Sequence, residues 1–324
     1  MTGYTVRAFR RESDQDVTSW RRLIAKSDNR TIFHDPDFLA YHGDRFDEHH
    51  LGFFKGDELS AVLPLALEKQ DGILTARSPY GASYGGFITG DVPRFAEAKA
   101  LIEMTVQYLS GTGVRRISVT PPLRSYGSSH SDTLEFALLH CGFRRTNADI
   151  SSVAPLGEAR LDTGLTASAR RHVRKAELAG IECSAAGDID DFWPLLEATL
   201  AKHSVSPTHS KNEWRLLLER FPDRIWMEIA YLDGRPAAGL GMMQLNARVV
   251  LAFYICSEPT LQHLQPLSML IDRSMRAAEH RGTILYDFGT SSRHMIPSET
   301  LFRFKESFGA LGVFRNSYTL DLAS

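Results

Sequence analysis

The order of predicted helices and strands in this 324-residue chain occurs twice, and this repetition limits the folds that the chain can adopt. The long helices begin near Arg94 and Pro266, and the strands that follow them begin near Arg115 and Ile284. A nearly constant offset between matched elements is typical of a duplicated domain. The alternation of helices and strands predicts an α/β fold with mixed sheets and helices on their faces. We therefore predict two tandem domains, residues 1–157 and 158–324.

The stretch Ile284–Gly309 contains a candidate reaction site. A short apolar run predicts a buried strand, Asp287 follows that run, and a helix predicted from Pro297 carries Lys305. Ligands of open α/β sheets bind near such strand ends. We assign Asp287 as a base or amine-holding group and Lys305 as a stabiliser of an oxyanion. The alternative is that Asp287 caps a turn and that Lys305 is a solvated helix residue.

A glycine-rich loop, SPYGASYGGFITG, is the candidate substrate-binding segment of the first half. Glycines let the backbone approach a ligand closely, and loops commonly carry binding residues. We expect an acceptor groove between the two halves, near Tyr80, Tyr84, Gly85 and Tyr254. Tyr254 lies in the middle of a predicted strand, so a core position is an equally good interpretation of that residue.

A basic helix is predicted over Leu165–Gly180, between the two copies. Five side chains in six positions are basic or can become so: Arg170, Arg171, His172, Arg174 and Lys175. Such a cluster binds phosphate well, and we assign donor or phosphate binding to its arginines and lysine. The alternative is a solvated face on a connecting helix.

The cysteines and histidines give no support for a disulfide framework or a metal site. Cys141, Cys183 and Cys256 lie far apart and form no CxxC motif, which fits a reducing compartment. No HExxH motif is present, so we predict no metal. The net charge of −2 gives no global attraction to nucleic acid, so an RNA contact would need a local basic patch.

The sequence gives no sign of a membrane or secretory protein. The first residues lack the apolar region of a signal peptide, and no apolar run approaches 18 residues. We expect a cytoplasmic protein without membrane insertion.

Several short motifs together resemble the FemABX-type branch of the GCN5-related N-acyltransferase (GNAT) superfamily. They cover nearly the whole chain and keep the order found in that family. The residues that carry the resemblance are Phe33, Pro36, Phe38, Leu39 and Tyr41; Gly56 with Leu63-Pro64-Leu65; Tyr84-Gly85-Gly86; Arg170-Arg171-x-x-Arg174-Lys175-Ala176; His203, Pro207 and His209; Asp287-Phe288-Gly289; and Phe304-Lys305-x-x-Phe308-Gly309.

The resemblance implies two tandem acyltransferase-type domains and the transfer of an acyl or aminoacyl group to an amine. It implies that Lys305 lies at the reaction centre, and we add His209 and Phe304 to the predicted substrate-binding residues. FemABX enzymes use an aminoacyl-tRNA donor and a cell-wall precursor peptide, whereas more distant relatives use other acceptors or acyl-CoA. No permanently bound cofactor is implied.

The segment Gln262–Ser268 bears on the choice of donor. Acetyl-CoA enzymes of this superfamily carry a glycine-rich loop there, whose backbone N–H groups bind pyrophosphate. This segment has no glycine, and Asp91 would repel phosphate in the first copy. We therefore predict an N-acyltransferase that uses aminoacyl-tRNA, with acyl-CoA as the alternative donor. A binding module that has lost its chemistry is the second alternative.

Overall fold

The computed structural model describes residues 3–9, 13–70, 72–157, 164–202 and 205–322. The chain divides into two compact units. The first unit contains residues 1–149 and 314–324, and the second contains residues 150–313. The boundary predicted from the sequence lies after residue 157. The predicted turn residue His203 lies outside the described residues.

The first unit contains four described helices and two sheets. The helices are α1 (Asp14–Lys26), α2 (Pro36–Leu39), α3 (Phe95–Ser110) and α4 (Thr133–His140). The strands are β1 (Tyr4–Ala8), β2 (Asp47–Glu48), β3 (Leu51–Lys55), β4 (Glu58–Leu63), β5 (Ala66–Gln70), β6 (Ile73–Ser78), β7 (Ile88–Thr89) and β8 (Arg116–Val119). Two longer strands, β9 (Arg144–Pro155) and β17 (Leu311–Asp321), cross the division between the units.

The sheets of the first unit have the orders β1-β3-β4-β7 and β17-β8-β6-β5-β2. Strands β6 and β8 are parallel, and α3 connects them. Parallel neighbours need such a crossover, because their joined ends lie at opposite edges of the sheet. Leu101 and Ile102 of α3 pack on Ile117 and Ala76 of these strands.

The second unit contains one large sheet with helices packed on it. Its helices are α5 (Ala167–Leu178), α6 (Ile189–Ala201), α7 (Lys211–Arg220), α8 (Pro266–His280) and α9 (Glu299–Glu306). Its strands are β10 (Glu182–Ser184), β11 (Ile225–Leu232), β12 (Arg235–Asn246), β13 (Val249–Ser257), β14 (Leu285–Thr290), β15 (Ser292–Arg293) and β16 (Ile296–Pro297). The sheet order is β10-β11-β12-β13-β14-β9, and β15 pairs with β16.

The same strand–helix–strand arrangement occurs in both units. Strands β13 and β14 are parallel and joined by α8, as β6 and β8 are joined by α3. Leu270, Ile271 and Met275 of α8 pack on Leu240 and Tyr286 of the sheet. The predicted mixed α/β fold with an internal duplication is therefore confirmed.

No helix in the described part of the chain is both long enough and apolar enough to cross a lipid bilayer.

Candidate functional site

The candidate site lies where strands β13 and β14 stop pairing and separate. The parallel pairing joins Val249 to Leu285 and ends where Leu251 faces Asp287, while β13 continues to Ser257. Two strands that separate within a sheet leave backbone groups and side chains of the longer strand open to a ligand. Ile255, Cys256 and Ser257 of β13 line a cavity of about 450 Å³ at this position.

Asp287 lies inside β14 and is fully buried. Its Oδ1 accepts a hydrogen bond of 2.8 Å from the Ser151 hydroxyl and one of 2.6 Å from the Gly289 backbone N–H. Gly289 has a φ of +73°, a backbone conformation that glycine adopts without strain. The carboxylate thus holds the backbone bend at Gly289, which agrees with the capping alternative. Its negative charge also lies close enough to Lys305 to affect the pKa of that lysine.

Lys305 projects from α9 and is 3% exposed. Its Nζ donates hydrogen bonds of 2.9 Å to the Gly289 carbonyl and 2.7 Å to the Thr290 carbonyl. An ammonium has three N–H donors, and these two bonds leave one for a further acceptor. Burial lowers the pKa of Lys305 to about 8, and the charge of Asp287 partly opposes this shift. The solvated-helix alternative for Lys305 does not fit this burial.

The cavity that Lys305 lines is mainly apolar with uncharged polar groups. Phe304, which was predicted to bind substrate, also lines it, and its ring packs on Phe308 at 5.3 Å between centroids. Its substrate role stays a prediction. The remaining lining residues come from five separate elements: Thr199, Ile255, Cys256, Ser257, Gln262, Gln265, Pro266, Leu267, Ser268, Thr300 and Leu301. Among the described residues of this lining, Lys305 is the one that carries a charge, so the cavity suits a neutral or electron-rich group.

The start of α8 forms one wall of the cavity. Gln265 has a φ of +64°, and Pro266 occupies the first turn. The N–H groups of Ser268 and Met269 donate to the Gln265 carbonyl at 3.1 and 3.4 Å. Since proline has no N–H and two further donors are used within the chain, few backbone donors remain there for a pyrophosphate. This geometry supports the expectation drawn from the missing glycines.

The predicted basic helix is present as α5, and it packs on α8 and on the 3₁₀ turn Pro259–Leu264. Thr166 caps it by accepting from the Ala169 N–H at 3.2 Å. Ala169 and Ala176 are buried, whereas the side chains assigned to phosphate binding are exposed: Arg170, Arg171, Arg174 and Lys175. Because the 3₁₀ turn contributes Gln262 to the cavity, the basic helix lies beside the cavity wall.

His209 and Tyr254 form a buried pair in the second unit. The Tyr254 hydroxyl accepts from the His209 N–H at 3.1 Å and lies 2.9 Å from His209 Nδ1. Burial raises the pKa of Tyr254 to about 12. The Trp214 ring is 5.0 Å from that of Tyr254, and Phe192 also packs there. The structure therefore places both residues in an aromatic cluster, and their substrate role stays a prediction.

Tyr80, Tyr84 and Gly85 lie in the first unit. The Tyr80 hydroxyl donates to Glu48 Oε1 at 2.9 Å, and the Tyr84 hydroxyl accepts from that of Tyr126 at 3.2 Å. Both tyrosines are buried. A side chain at Gly85 would place its Cβ 2.6 Å from the Pro79 backbone nitrogen. Packing within the first unit is therefore enough to explain a glycine at this position. The acceptor-binding role of these three residues stays a prediction.

Of the residues that line the cavity, only Phe304 and Lys305 were among the predicted site residues. Thr199, Ile255 and Thr300 come from three elements, and no local pattern connects them. The available signal was the apolar stripe of α9, where Leu301 and Phe304 line the cavity. Within the described ranges, no group of three or more His, Cys, Asp or Glu side chains is placed to hold a metal ion.

Comparison with protein families gives one match. Residues 165–305 match the family described as an acetyltransferase (GNAT) domain. The matched range contains the basic helix, the cavity and Lys305. A comparison with curated proteins by sequence gave no match.

Comparison with solved structures gives relatives over nearly the whole chain. FemX is 11% identical, with a TM-score of 0.71, and the alignment covers 94% of this chain and 96% of FemX. A tandem GNAT protein from the clavulanic acid biosynthesis pathway is 13% identical, with a TM-score of 0.59 and 99% of each chain covered. The C-terminal domain of a putative lysylphosphatidylglycerol synthetase from Agrobacterium fabrum is 13% identical, with a TM-score of 0.60 and coverage of 94% and 92%.

At these identities the likeness establishes the fold, and the domain match covers the second half of the chain. The chain has a tandem GNAT-type fold like that of FemX, and its residues 165–305 match an acetyltransferase (GNAT) domain.

Proposed function

We propose that this acyltransferase moves an aminoacyl group from aminoacyl-tRNA to the amine of a small molecule or peptide and so forms an amide. The observation that carries the proposal is the packing of the basic helix α5 against the 3₁₀ turn and α8, both of which line the Lys305 cavity. Phosphates bound by the helix and an acyl ester held in the cavity would belong to one donor.

The charge distribution supports a phosphate-rich donor. Arg170, Arg171, Arg174 and Lys175 are exposed on α5. They form two i,i+4 pairs, Arg170 with Arg174 and Arg171 with Lys175, and the members of each pair are neighbours on the helix surface. Guanidinium groups pair with phosphate oxygens through two N–H groups at once. One of the four, Arg174, also contacts Glu177 at 3.4 Å, an exposed pair that a phosphate can replace at little cost.

The chemistry follows from the uncommitted N–H of Lys305. The amine nitrogen attacks the ester carbonyl, and the carbonyl oxygen gains negative charge that this N–H stabilises. The attack forms the C–N bond; as the carbonyl re-forms, the C–O ester bond breaks, and the amine proton passes to the leaving ribose oxygen, which becomes a hydroxyl. With a pKa of about 8, Lys305 is mostly protonated at pH 7 and can act as a donor.

Asp287 supports this step through its negative charge, which acts on Lys305. Its charge raises the pKa of Lys305 against the effect of burial, which keeps the ammonium charged. We retain its assignment as the group that favours a neutral amine, acting directly or through water. Holding both substrates in line can supply much of the remaining rate.

The second candidate is an acyl-CoA donor, favoured by the apolar cavity at the N-terminus of α8. A helix N-terminus attracts phosphate. The few free backbone donors around Pro266 count against a tightly held pyrophosphate, as described above.

Donor binding tests the proposal. The protein is titrated with a pool of charged tRNA and with acetyl-CoA at two salt concentrations. We expect salt-sensitive tRNA binding that weakens when Arg170, Arg171 and Arg174 are all changed to Gln, with the salt slope falling by about three. A matched control changes three exposed arginines elsewhere, Arg21, Arg124 and Arg220, to Gln, and we expect it to bind as the wild type does.

Two results would contradict the aminoacyl-tRNA proposal. Saturable acetyl-CoA binding without specific tRNA binding would favour acyl-CoA as the donor. An equal loss of tRNA binding in the α5 variant and in the control variant would mean that the arginines of α5 do not form a specific tRNA-binding site. Unchanged turnover in Lys305→Ala, with the protein folded, would remove the role given to Lys305 and favour a site elsewhere.

A further inference from the structure

We propose that the hairpin of β15 and β16 contacts the amine acceptor, and that this acceptor carries an apolar group close to its reactive amine. The inference rests on the amide-forming function proposed above and names the class of acceptor. Four observations within the second unit carry it: the anchoring of the hairpin base, its link to Lys305, the exposure of its tip and the backbone of its turn.

The base of the hairpin is fixed to β9. The Ser291 N–H donates to the Ile150 carbonyl at 2.8 Å, and the Ile150 N–H donates to the Ser292 hydroxyl at 2.8 Å. The Ser291 and Ser152 hydroxyls are 2.6 Å apart, and the Ser298 N–H closes the hairpin on the Ser291 carbonyl. Ser291 is completely buried. The hairpin is therefore anchored at its base to the sheet.

The hairpin begins at the groups that hold the catalytic ammonium. Lys305 donates to the carbonyls of Gly289 and Thr290, and β15 starts two residues after Thr290. Ser292 faces Pro297 and Arg293 faces Ile296. Three extended residues separate Thr290 from the last pair, which is about 10 Å of chain. The tip is thus within the reach of a substrate bound at Lys305.

The tip presents apolar side chains to solvent. Met295 is 59% exposed and Ile296 is 71% exposed. Leu301, 44% exposed, follows on α9 and lines the cavity. Exposed apolar side chains that adjoin a site mark a contact with a ligand or partner. All three lie within ten residues of Lys305 in the chain, and Leu301 lines the cavity itself, so the occupant that we infer for them is a substrate of the cavity.

The turn has a conformation that its residues adopt at a cost. His294 has a φ of +52° and Met295 a φ of +62°. A two-residue hairpin turn with both φ values positive is of type I′, for which Asn-Gly is preferred. Backbone strain of this kind collects at functional sites, where the side chains matter more than the ease of the turn. The sequence keeps a large apolar side chain at Met295 where glycine would be easier.

Amine binding tests the hairpin without turnover. The affinities of ethylamine and hexylamine are measured by calorimetry for the wild type, for Ile296→Ser and for the control Leu139→Ser, an exposed leucine of α4. Each buried methylene contributes a factor of about four to affinity. We expect hexylamine to bind the wild type at least about tenfold more tightly than ethylamine. We expect Ile296→Ser to lose most of this preference and Leu139→Ser to keep it.

A turn replacement separates a substrate contact from a purely structural role. His294→Asn combined with Met295→Gly relieves the turn, so we expect a higher Tm than in the wild type. If the tip contacts the acceptor, the same variant loses preference for hexylamine. A structural hairpin would gain stability and keep the preference.

Several outcomes would overturn the inference. One is equal affinity for the two amines; another is a preference that survives in both hairpin variants. Binding of the protein to anionic phospholipid vesicles that Ile296→Ser abolishes, with no dependence on the amine chain, would assign the tip to a membrane surface instead. Transfer from charged tRNA to hexylamine is assayed separately. Chain-dependent binding without any transfer would count against the proposed function and leave the hairpin contact standing.

Discussion

Replacing Lys305 by Met tests the claim that this side chain serves chemistry rather than stability. The folded-state pKa of Lys305 is about 8, against an ordinary value of 10.5. Since one pKa unit corresponds to about 1.4 kcal/mol, holding the charged ammonium in this site costs about 3 kcal/mol at pH 7. Met has a similar length and no charge, so the variant avoids that cost.

The substitution also removes two hydrogen bonds. The Gly289 and Thr290 carbonyls lose their donor, and each buried unpaired acceptor costs about 1–3 kcal/mol. The two effects oppose each other, so we expect the free energy of unfolding to change by less than about 2 kcal/mol. Losing one oxyanion donor should lower kcat by about 10²–10³-fold.

The pH dependence of stability gives a second readout for the same pair of proteins. Between the folded pKa of about 8 and the unfolded value of 10.5, the unfolded chain binds the proton and the folded chain does not. Stability of the wild type relative to Lys305→Met therefore rises as the pH increases through this range, by up to about 3 kcal/mol. Below pH 8 the lysine is protonated in both states, and the difference is constant.

The assay is urea unfolding at a series of pH values, with kcat measured on the same preparations. Lys99→Met, at an exposed lysine paired with Glu103, is the control and should change neither quantity. A loss of more than about 4 kcal/mol in Lys305→Met would mean that the ammonium is mainly structural. An unchanged kcat, or a stability difference that does not depend on pH, would refute the reasoning.

Three further substitutions have expected results. Ser151→Ala removes a hydrogen bond of 2.8 Å to the buried Asp287, and we expect a loss of about 1.5–3 kcal/mol in urea unfolding together with a lower kcat. Gly85→Ala places a methyl group 2.6 Å from the Pro79 backbone nitrogen, so we expect a fall in Tm equivalent to at least about 2 kcal/mol. Thr166→Ala removes the cap of α5, and we expect a loss of about 1 kcal/mol with weaker tRNA binding in a filter assay.

The repeated order of elements made the fold predictable. Strand–helix–strand units can be recognised from local sequence, because the apolar residues of the helix and of its flanking strands each recur with their own period within a short window. The positions of Asp287 and Lys305 near one strand end also followed from sequence, since a helix directly after a strand packs close to it.

The details of the strand end were not predictable from local sequence. We expected a polar turn after Gly289 and a helix from Pro297, but β14 extends to Thr290 and Pro297 belongs to β16. The serines of β9, more than a hundred residues earlier, make this extension possible by bonding to Ser291 and Asp287. A pairing of that range depends on tertiary packing, which propensity does not encode.

The final strand has a consequence for how the protein is made. Tyr318–Asp321 of β17 pair with β8 in the first unit, so that sheet lacks a strand until these residues have left the ribosome. The second unit is continuous in sequence, and Gly312 near its exit lies against Ile150 at its entrance. During synthesis the second unit can therefore close first, and the first unit must wait with an open sheet edge. A chain stopped before residue 314 would expose that edge to other chains, and aggregation would follow from truncation at the C-terminus.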